Sequence, residues 1–483
     1  MDGNIRQFEA EQDMAHDLVL KNGLVVTPQG EIRGGVAVDE GKISLIGPDT
    51  LLGRGHREID VEGQIIFPGM FDPHCHLGSG DERNWEGMDR SFAVDTRDFA
   101  IGGVTSFATT NMLSPDPLPY CLERSIQSGT GRSWVDFKVT GVLLTYEHVE
   151  EIPLVAPHGM ISFKFYCGYC GHQAERMGMR KEGITPDLFY LACEQIARIG
   201  QPSHLMVHAE EPTVRRMLGE RLKASGRADL VAWAEHSPEW SESIQVYEFG
   251  VIAHHFGIPM YVVHISRGHT VDLLAHLQAQ GWPLVGETCS VFLASNAHEM
   301  ESRGIGFRAK IQPPIRFASD SERLWRGLRE GHITCIGTDT IPYTSKYKAG
   351  QPFWESRPGL NIQTIDTLPL LYTEGVLKGK IDLLTLARAL SEAPARRWGL
   401  FPQKGGIVPG ADADLVVVNT DKEYSLGLHR MRGGSDYSIW EGRKVRGMPV
   451  MTFLRGDLIA QDGEIVGEAP GGVYLKGDVP PGA

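Results

Sequence analysis

In the run Asp72-Pro73-His74-Cys75-His76 two imidazoles stand two residues apart, so in an extended segment both point to one side and can share a metal ion. A lone buried histidine is more often a hydrogen-bonded core residue than a ligand, so the pair gains meaning only with company. His208 ends the apolar run Met206-Val-His, His264 ends Tyr261-Val-Val-His, and Asp339 ends Ile336-Gly-Thr-Asp. Lys164 lies between two phenylalanines in Ile161-Ser-Phe-Lys-Phe-Tyr. It is either a strand lysine that reaches water or an acid, or a desolvated amine. Burial beside cations favours the neutral amine, which reacts with carbon dioxide to give a carbamate, an anionic two-oxygen group able to bridge metals. The charges agree with the second choice. Two divalent ions bring four positive charges, and the carbamate, Asp339 and a bridging hydroxide return three.

Groups scattered over so long a stretch converge only if the chain brings several strand ends together. From residue 67 to 399, β-rich apolar runs alternate with helical patterns such as Thr185-Pro-Asp-Leu-Phe-Tyr-Leu-Ala-Cys-Glu-Gln-Ile-Ala-Arg, with Pro186 in the first turn behind a threonine cap. Such alternation implies a parallel sheet. Eight strands are expected near 65–74, 104–110, 136–144, 160–166, 204–208, 260–265, 283–287 and 333–338, the number that closes a (β/α)8 barrel. In such a barrel the carboxyl ends of the strands form the active site. A doubly wound open sheet is the structural alternative. Residues 1–66 and 400–470 share a different texture of short β-rich runs between turn signals, which suggests one discontinuous β-sandwich domain built from both termini. The segment 471–483, rich in Gly and Pro, is expected to extend over a surface without a core of its own.

With 483 residues the chain is long enough for a large barrel plus a smaller unit. Its 61 acidic against 47 basic side chains, a formal net charge of −14, offer no positive surface for nucleic acid or anionic lipid. Neither a basic-then-apolar leader nor a membrane-length apolar run is seen, which points to the cytoplasm. Seven cysteines read as reduced thiols. Cys167 and Cys170 have CxxC spacing, but no second CxxC or redox context accompanies them, so they are read as strand-end thiols beside a site. There is no GxSxG elbow and no GxGxxG after a strand, which sets aside serine hydrolases and dinucleotide enzymes.

Taken together, Pro68-Gly-Met-Phe-Asp-Pro-His-Cys-His, Gly102-Gly-Val-Thr-Ser, Ser162-Phe-Lys-Phe-Tyr-Cys-Gly-Tyr, Val207-His-Ala-Glu, Tyr261-Val-Val-His-Ile-Ser, Gly286-Glu-Thr-Cys, Pro313-Pro-Ile-Arg, Ile336-Gly-Thr-Asp and Gly410-Ala-Asp-Ala-Asp-Leu-Val resemble the dihydropyrimidinase and hydantoinase branch of the amidohydrolase superfamily. The likeness runs over nearly the whole chain. It implies a binuclear centre with His74, His76 and Asp339 on the more buried metal, His208 and His264 on the more exposed one, and carbamylated Lys164 (N6-carboxylysine) bridging. By ligand type the metals are Zn2+, with Mn2+, Co2+ and Fe2+ able to use the same set. The resemblance also implies that Tyr169 hydrogen-bonds the amide oxygen in the transition state, and that the protein is a homotetramer.

These groups suit hydrolysis of a cyclic amide, imide or ureide: a shared water is acidified, and Asp339 acts as base and then as acid toward the departing ring nitrogen. The ring contacts depart from the family patterns. Gln312 stands before Pro313-Pro314 where hydantoinases resemble Ser-Pro-Pro, and Pro358-Gly359-Leu360-Asn361 replaces a Pro-Asn-Gly-Gly type of segment whose backbone meets the ring amide. Gln312, Gly359 and Asn361 are therefore the candidate substrate contacts. The arginine that dihydroorotases place two residues after the second histidine is missing, which disfavours dihydroorotate. Two rival readings are the same centre acting on an acyclic amide or lactone, and a catalytically silent scaffold; retention of all six ligand positions speaks against the latter.

Overall fold

In the computed structural model, which describes residues 15–80, 83–110, 115–359, 364–479 and 482, eight parallel strands follow one another around a single sheet in chain order. They are β1 (Met70–Cys75), β2 (Val104–Thr110), β3 (Asp136–Val142), β4 (Ser162–Tyr166), β5 (His204–His208), β6 (Met260–Val262), β7 (Leu284–Cys289) and β8 (Ile333–Gly337). The open doubly wound alternative is excluded, because β8 returns to β1: Cys75 bridges Thr340, and the Asp339 and His76 amides donate to the His74 and Thr340 carbonyls, both at 2.8 Å. The expected first strand, 65–74, is two strands. At Gly69, whose N–H donates to the Asp414 carbonyl, the chain passes from a second sheet into the barrel, and Ile65–Pro68 belongs to that second sheet.

Side-chain alternation divides each barrel strand between two cores. Phe163, Phe165, Leu205 and Val207 pack with Leu188, Phe189 and Ile196 of the helix Pro186–Ile199. Thr185 does occupy the N-cap position of that helix, though its side chain makes no capping bond. On the inner side Phe71, Ala108, Met206, Tyr261 and Cys335 form a plug with Trp398 and Leu475. Lys164 and His208 share this inward parity and stand at the mouth.

The second sheet joins strands from before and after the barrel. His16–Thr27 pairs in parallel with Gly55–Asp60 along its first half and with Ile65–Pro68 along its second. Ile65–Pro68 in turn pairs antiparallel with Leu415–Asn419, which pairs with Met448–Leu454. Leu18, Leu20, Val36 and Val38 meet Ala413, Leu415, Val417 and Phe453 in a core separate from the barrel's.

A buried cation ties the two bodies together. Lys404 Nζ lies 2.6 Å from Asp136 on β3, 2.8 Å from Asp412 and 2.9 Å from Asp414. Burial opposes its charge, but the three carboxylates outweigh that and hold its pKa above the usual lysine range. Asp136 also accepts from Arg455 and from the Val473 amide. The described residues after 471 are stitched to the barrel floor: Leu475 joins the inner core, its amide donates to Phe137, and Lys138 Nζ donates to the Leu475 and Lys476 carbonyls. Removing one cation from such a cluster leaves like charges buried together. Lys404→Met is expected to lose about 3–5 kcal/mol of stability, read by denaturant unfolding; a loss below about 1 kcal/mol, the scale of an exposed pair, would show that the joint lies elsewhere.

Candidate metal centre and catalytic pocket

Asp72 sets the geometry of the mouth. Its carboxylate accepts the Thr338 amide at 3.1 Å, the Thr338 hydroxyl at 2.6 Å and the His74 amide at 3.2 Å, which clamps β8 against β1. Burial raises its pKa to about 7. The clamp delivers Asp339 to the histidine pair. Asp339 Oδ1 is 2.9 Å from His76 Nε2 and 3.5 Å from His74 Nε2, and the ligand atoms of these three residues lie within 4.8 Å of one another. Lys164 Nζ is 3.0 Å from His74 Nε2. Across the floor, His208 Nδ1 faces His264 Nε2 at 2.9 Å. The six residues that the sequence singled out are thus gathered on one buried floor at the carboxyl ends of the strands.

Two of them are held in strained backbone. His264 (φ 40°) and Asp339 (φ 50°) occupy the left-handed region without being glycine, a cost of about 1–3 kcal/mol each where such residues cluster at functional sites. The donor chemistry fits divalent cations. Burial, reinforced by neighbouring cations, holds His74 and His264 well below the usual imidazole range, and burial also lowers His208, so these rings present lone pairs. Burial lowers the Lys164 amine to about 8, against the pull of Asp339 and Glu287. Burial alone would raise Asp339, but His74, His76 and Lys164 outweigh it and keep the carboxyl below its usual range.

Behind these groups stand residues to which the sequence assigned no role. Glu287 on β7 is fully buried and reaches three partners: His74 Nδ1 at 3.0 Å, the His264 amide at 3.0 Å and the Tyr261 hydroxyl at 2.8 Å. Bonded to Nδ1, it turns Nε2 of His74 toward the centre. Burial raises its pKa to about 8. Glu210, two residues after His208, lies 3.4 Å from His208 Nε2 and 3.2 Å from Arg316, and accepts from Ser237 and from the Gln312 amide. Both glutamates sit in stretches that carry the family likeness; for Glu210 its place two residues after the strand-end His208 was the available signal, and Glu287 had none of that kind.

The floor opens into a cavity of about 230 Å³ lined by His76, Lys164, Tyr166, Tyr169, His208, His264, Gln312, Asp339 and Gly359, among others. Tyr169 lies beside His208, with ring centroids 5.3 Å apart. Gly168 makes that possible, since a Cβ there would come within 2.7 Å of the His208 ring. Gln312 donates through Nε2 to Glu210, which leaves its buried Oε1 without a partner. Gly359 lines the cavity, with its N–H donated to the Lys310 carbonyl; Asn361 lies outside the described residues. Cys167 is buried and Cys170 half-buried beside the site, both as free thiols.

A metal-ligating floor at the mouth of a (β/α)8 barrel, joined to a sheet built from both termini, defines an amidohydrolase-type protein. The chain belongs to the amidohydrolase family, whose profile matches residues 65–459. It is 30% identical to an L-hydantoinase of Paenarthrobacter aurescens, over 95% of this chain and 98% of that one. An allantoinase of Bacillus licheniformis is 31% identical over 92% and 96% of the two chains. The solved structure of an L-hydantoinase (dihydropyrimidinase) from Arthrobacter aurescens superposes with a TM-score of 0.86 at 27% identity, covering 95% of this chain and 99% of that one. The family implies a divalent metal centre, and His74, His76 and Asp339 form a group able to hold one. Glu287→Gln would loosen the hold on His74 and is expected to weaken metal binding by about 10–100-fold, measured by chelator competition; unchanged affinity would reduce Glu287 to a packing role.

Proposed function

We propose that this protein is a metal-dependent hydrolase that opens a five- or six-membered cyclic amide, imide or ureide, hydantoin-like and dihydropyrimidine-like rings being equally weighted. The observation that carries the reading is the convergence of His74, His76, Lys164, His208, His264 and Asp339 under a cavity that Tyr169 lines. In this reading His74, His76 and Asp339 would hold one zinc ion and His208 and His264 a second, with Lys164, as its carbamate, a ligand they would share; Mn2+ or Co2+ could use the same donors. Bound there, such ions supply an acidified water and a Lewis acid for the amide oxygen.

The chain's own groups do the rest. Asp339, kept anionic by His74 and His76, accepts the proton of the attacking water and releases it to the departing ring nitrogen. Burial raises the Tyr169 phenol above its usual range, so it keeps its proton and donates to the oxygen on which negative charge develops. The orientation that Glu210 imposes on Gln312 leaves Oε1 to accept from a ring N–H, and Gly359 and Asn361 are proposed as further ring contacts.

We place the protein in the cytoplasm on its free cysteines, and as a homotetramer on family resemblance. Among the described residues no helix is long and apolar enough to cross a membrane. Self-association is supported by the helix Ser241–Phe256, which exposes Ile244, Tyr247 and Val251 on one face.

Ring opening of dihydrouracil, several substituted hydantoins, allantoin and succinimide by zinc-loaded protein is the direct test. Turnover of at least one ring, abolished in Lys164→Ala, is the expected result; a flat panel would shift the reading to another bond or to a silent scaffold. For the ring that turns over, Tyr169→Phe should lower kcat by about 10²–10³ with KM little changed, and an equal kcat would remove the tyrosine from the oxyanion. Light scattering should give a multiple of the monomer mass that Tyr247→Glu reduces; monomer mass in the unsubstituted protein would end the tetramer proposal.

A further inference from the structure

The cavity above the metal floor has a wall whose charge opposes that of the molecule. The chain carries a formal net charge of −14, yet Arg83, Arg176 and Arg357 all line the cavity, and among the described residues its one carboxylate is Asp339, which His74 and His76 engage. Arg357 is fixed in place. Its Nη1 donates to the Tyr347 hydroxyl at 2.6 Å and its guanidinium lies over the Tyr347 ring at 5.1 Å. Tyr347 in turn stacks on Tyr343, centroids 3.7 Å apart. Gly359, with φ +146°, lets the chain pass this stack, since a Cβ there would come within 2.2 Å of the Tyr343 ring. The Arg176 guanidinium has no carboxylate or hydrogen-bond partner among the described residues. The charges of Arg83 and Arg357 both act on the Tyr343 phenol, and that of Arg83 also acts on Tyr166.

Tyr166 supplies a second, independent observation. It is 4% exposed and lines the same cavity, and its hydroxyl is buried without a hydrogen-bond partner. A buried donor left unmade is costly, so such a group at a cavity wall points to a ligand atom that accepts from it. Guanidiniums and a phenol are donors toward the cavity, and planar forks of this kind match a carboxylate. An apolar ring substituent would offer the Tyr166 hydroxyl no acceptor and the guanidiniums at the rim no counter-charge.

Resting on the ring-opening reading above, we propose that the substrate ring carries an anionic substituent, a carboxylate, received by Arg83, Arg176 and Arg357 with the Tyr166 hydroxyl as a neutral donor. The recognition is a matter of binding and does not depend on turnover. It therefore separates this ligand from the neutral side chains that an apolar pocket would select.

The test uses a hydantoin bearing a carboxyethyl group at the ring carbon and its primary amide, two ligands alike in ring and length. Their affinities are measured by calorimetry on zinc-loaded Tyr169→Phe protein, in which turnover is slowed and all six proposed metal ligands are kept. The acid should bind about tenfold or more tightly than the amide, as charge-assisted hydrogen bonds would give, and the gap should shrink as salt rises. Adding Arg176→Gln together with Arg357→Gln should bring the two ligands to near-equal affinity, and Tyr166→Phe should narrow the gap less. Equal affinities at the outset, or a gap that the arginine substitutions leave intact, would overturn the proposal. Turnover of the same two rings by the unsubstituted zinc enzyme reads the ring-opening assignment separately: if neither ring opens, that assignment fails, while the binding gap still decides this one.

Discussion

Everything at the mouth of the barrel depends on the closure between β1 and β8. Asp72 and Thr338 are 266 residues apart, and the Asp72 carboxylate accepts both the amide and the hydroxyl of Thr338. A slip of one residue in that pairing would turn Asp339 away from His74 and His76, because side chains alternate along a strand. The strained backbone at Asp339 and His264 is tolerated because closure over-determines it: the Asp339 amide is held by the His74 carbonyl, and the His264 amide by Glu287. The metal-facing residues are therefore products of the barrel's hydrogen bonding rather than of local loop preference.

Around that floor the protein sets a ring of buried ionic groups that touch one another. Glu210 meets Arg316, Arg316 also meets Glu242, and Arg267 meets Asp320. Buried ion pairs of this kind add little net stability over well-packed apolar groups, but a partner removed leaves an exacting penalty, so they restrict the conformations available. His208 and Gln312 both rest on Glu210, so a histidine at the floor and the amide at the ring-binding wall share one support. Chemistry and ligand recognition are consequently aligned by the same carboxylate.

Much of this was legible from residue types. Histidines and an aspartate that ended apolar runs marked the strand ends, and a lysine flanked by phenylalanines marked a buried amine; each is a local signal. The eight-strand count followed from alternation of β and α texture. What escaped was non-local. Glu287 and Asp72 act through partners more than 200 residues away, and a glutamate in a strand declares nothing of such a partner in one sequence. The split at Gly69 was hidden because Ile65–Pro68 and Met70–Cys75 are both buried strands with no polar interruption; only their different neighbours separate them. The cationic wall was invisible for the same reason, since Arg83, Arg176 and Arg357 come from three distant segments, Arg176 from the end of the short helix His172–Arg176.

The interlaced ends of the fold have a consequence for its making. Ile65–Pro68 pairs with His16–Thr27 on one side but gains its second partner only when Leu415–Asn419 is available, and the barrel floor is capped by Leu475 and by carbonyls that hold Lys138. A ribosome that has released β1 through β8 has therefore produced a barrel with an unsealed base, a Lys138 amine without its carbonyl acceptors and a sheet missing four of its nine strands. Domains that mature as they emerge escape this interval; here a long nascent intermediate must be endured, with apolar strand edges open to wrong partners until late in synthesis. Late arrival of the closing strands is what a discontinuous terminal sheet exacts in return for a barrel supported from both ends of the chain.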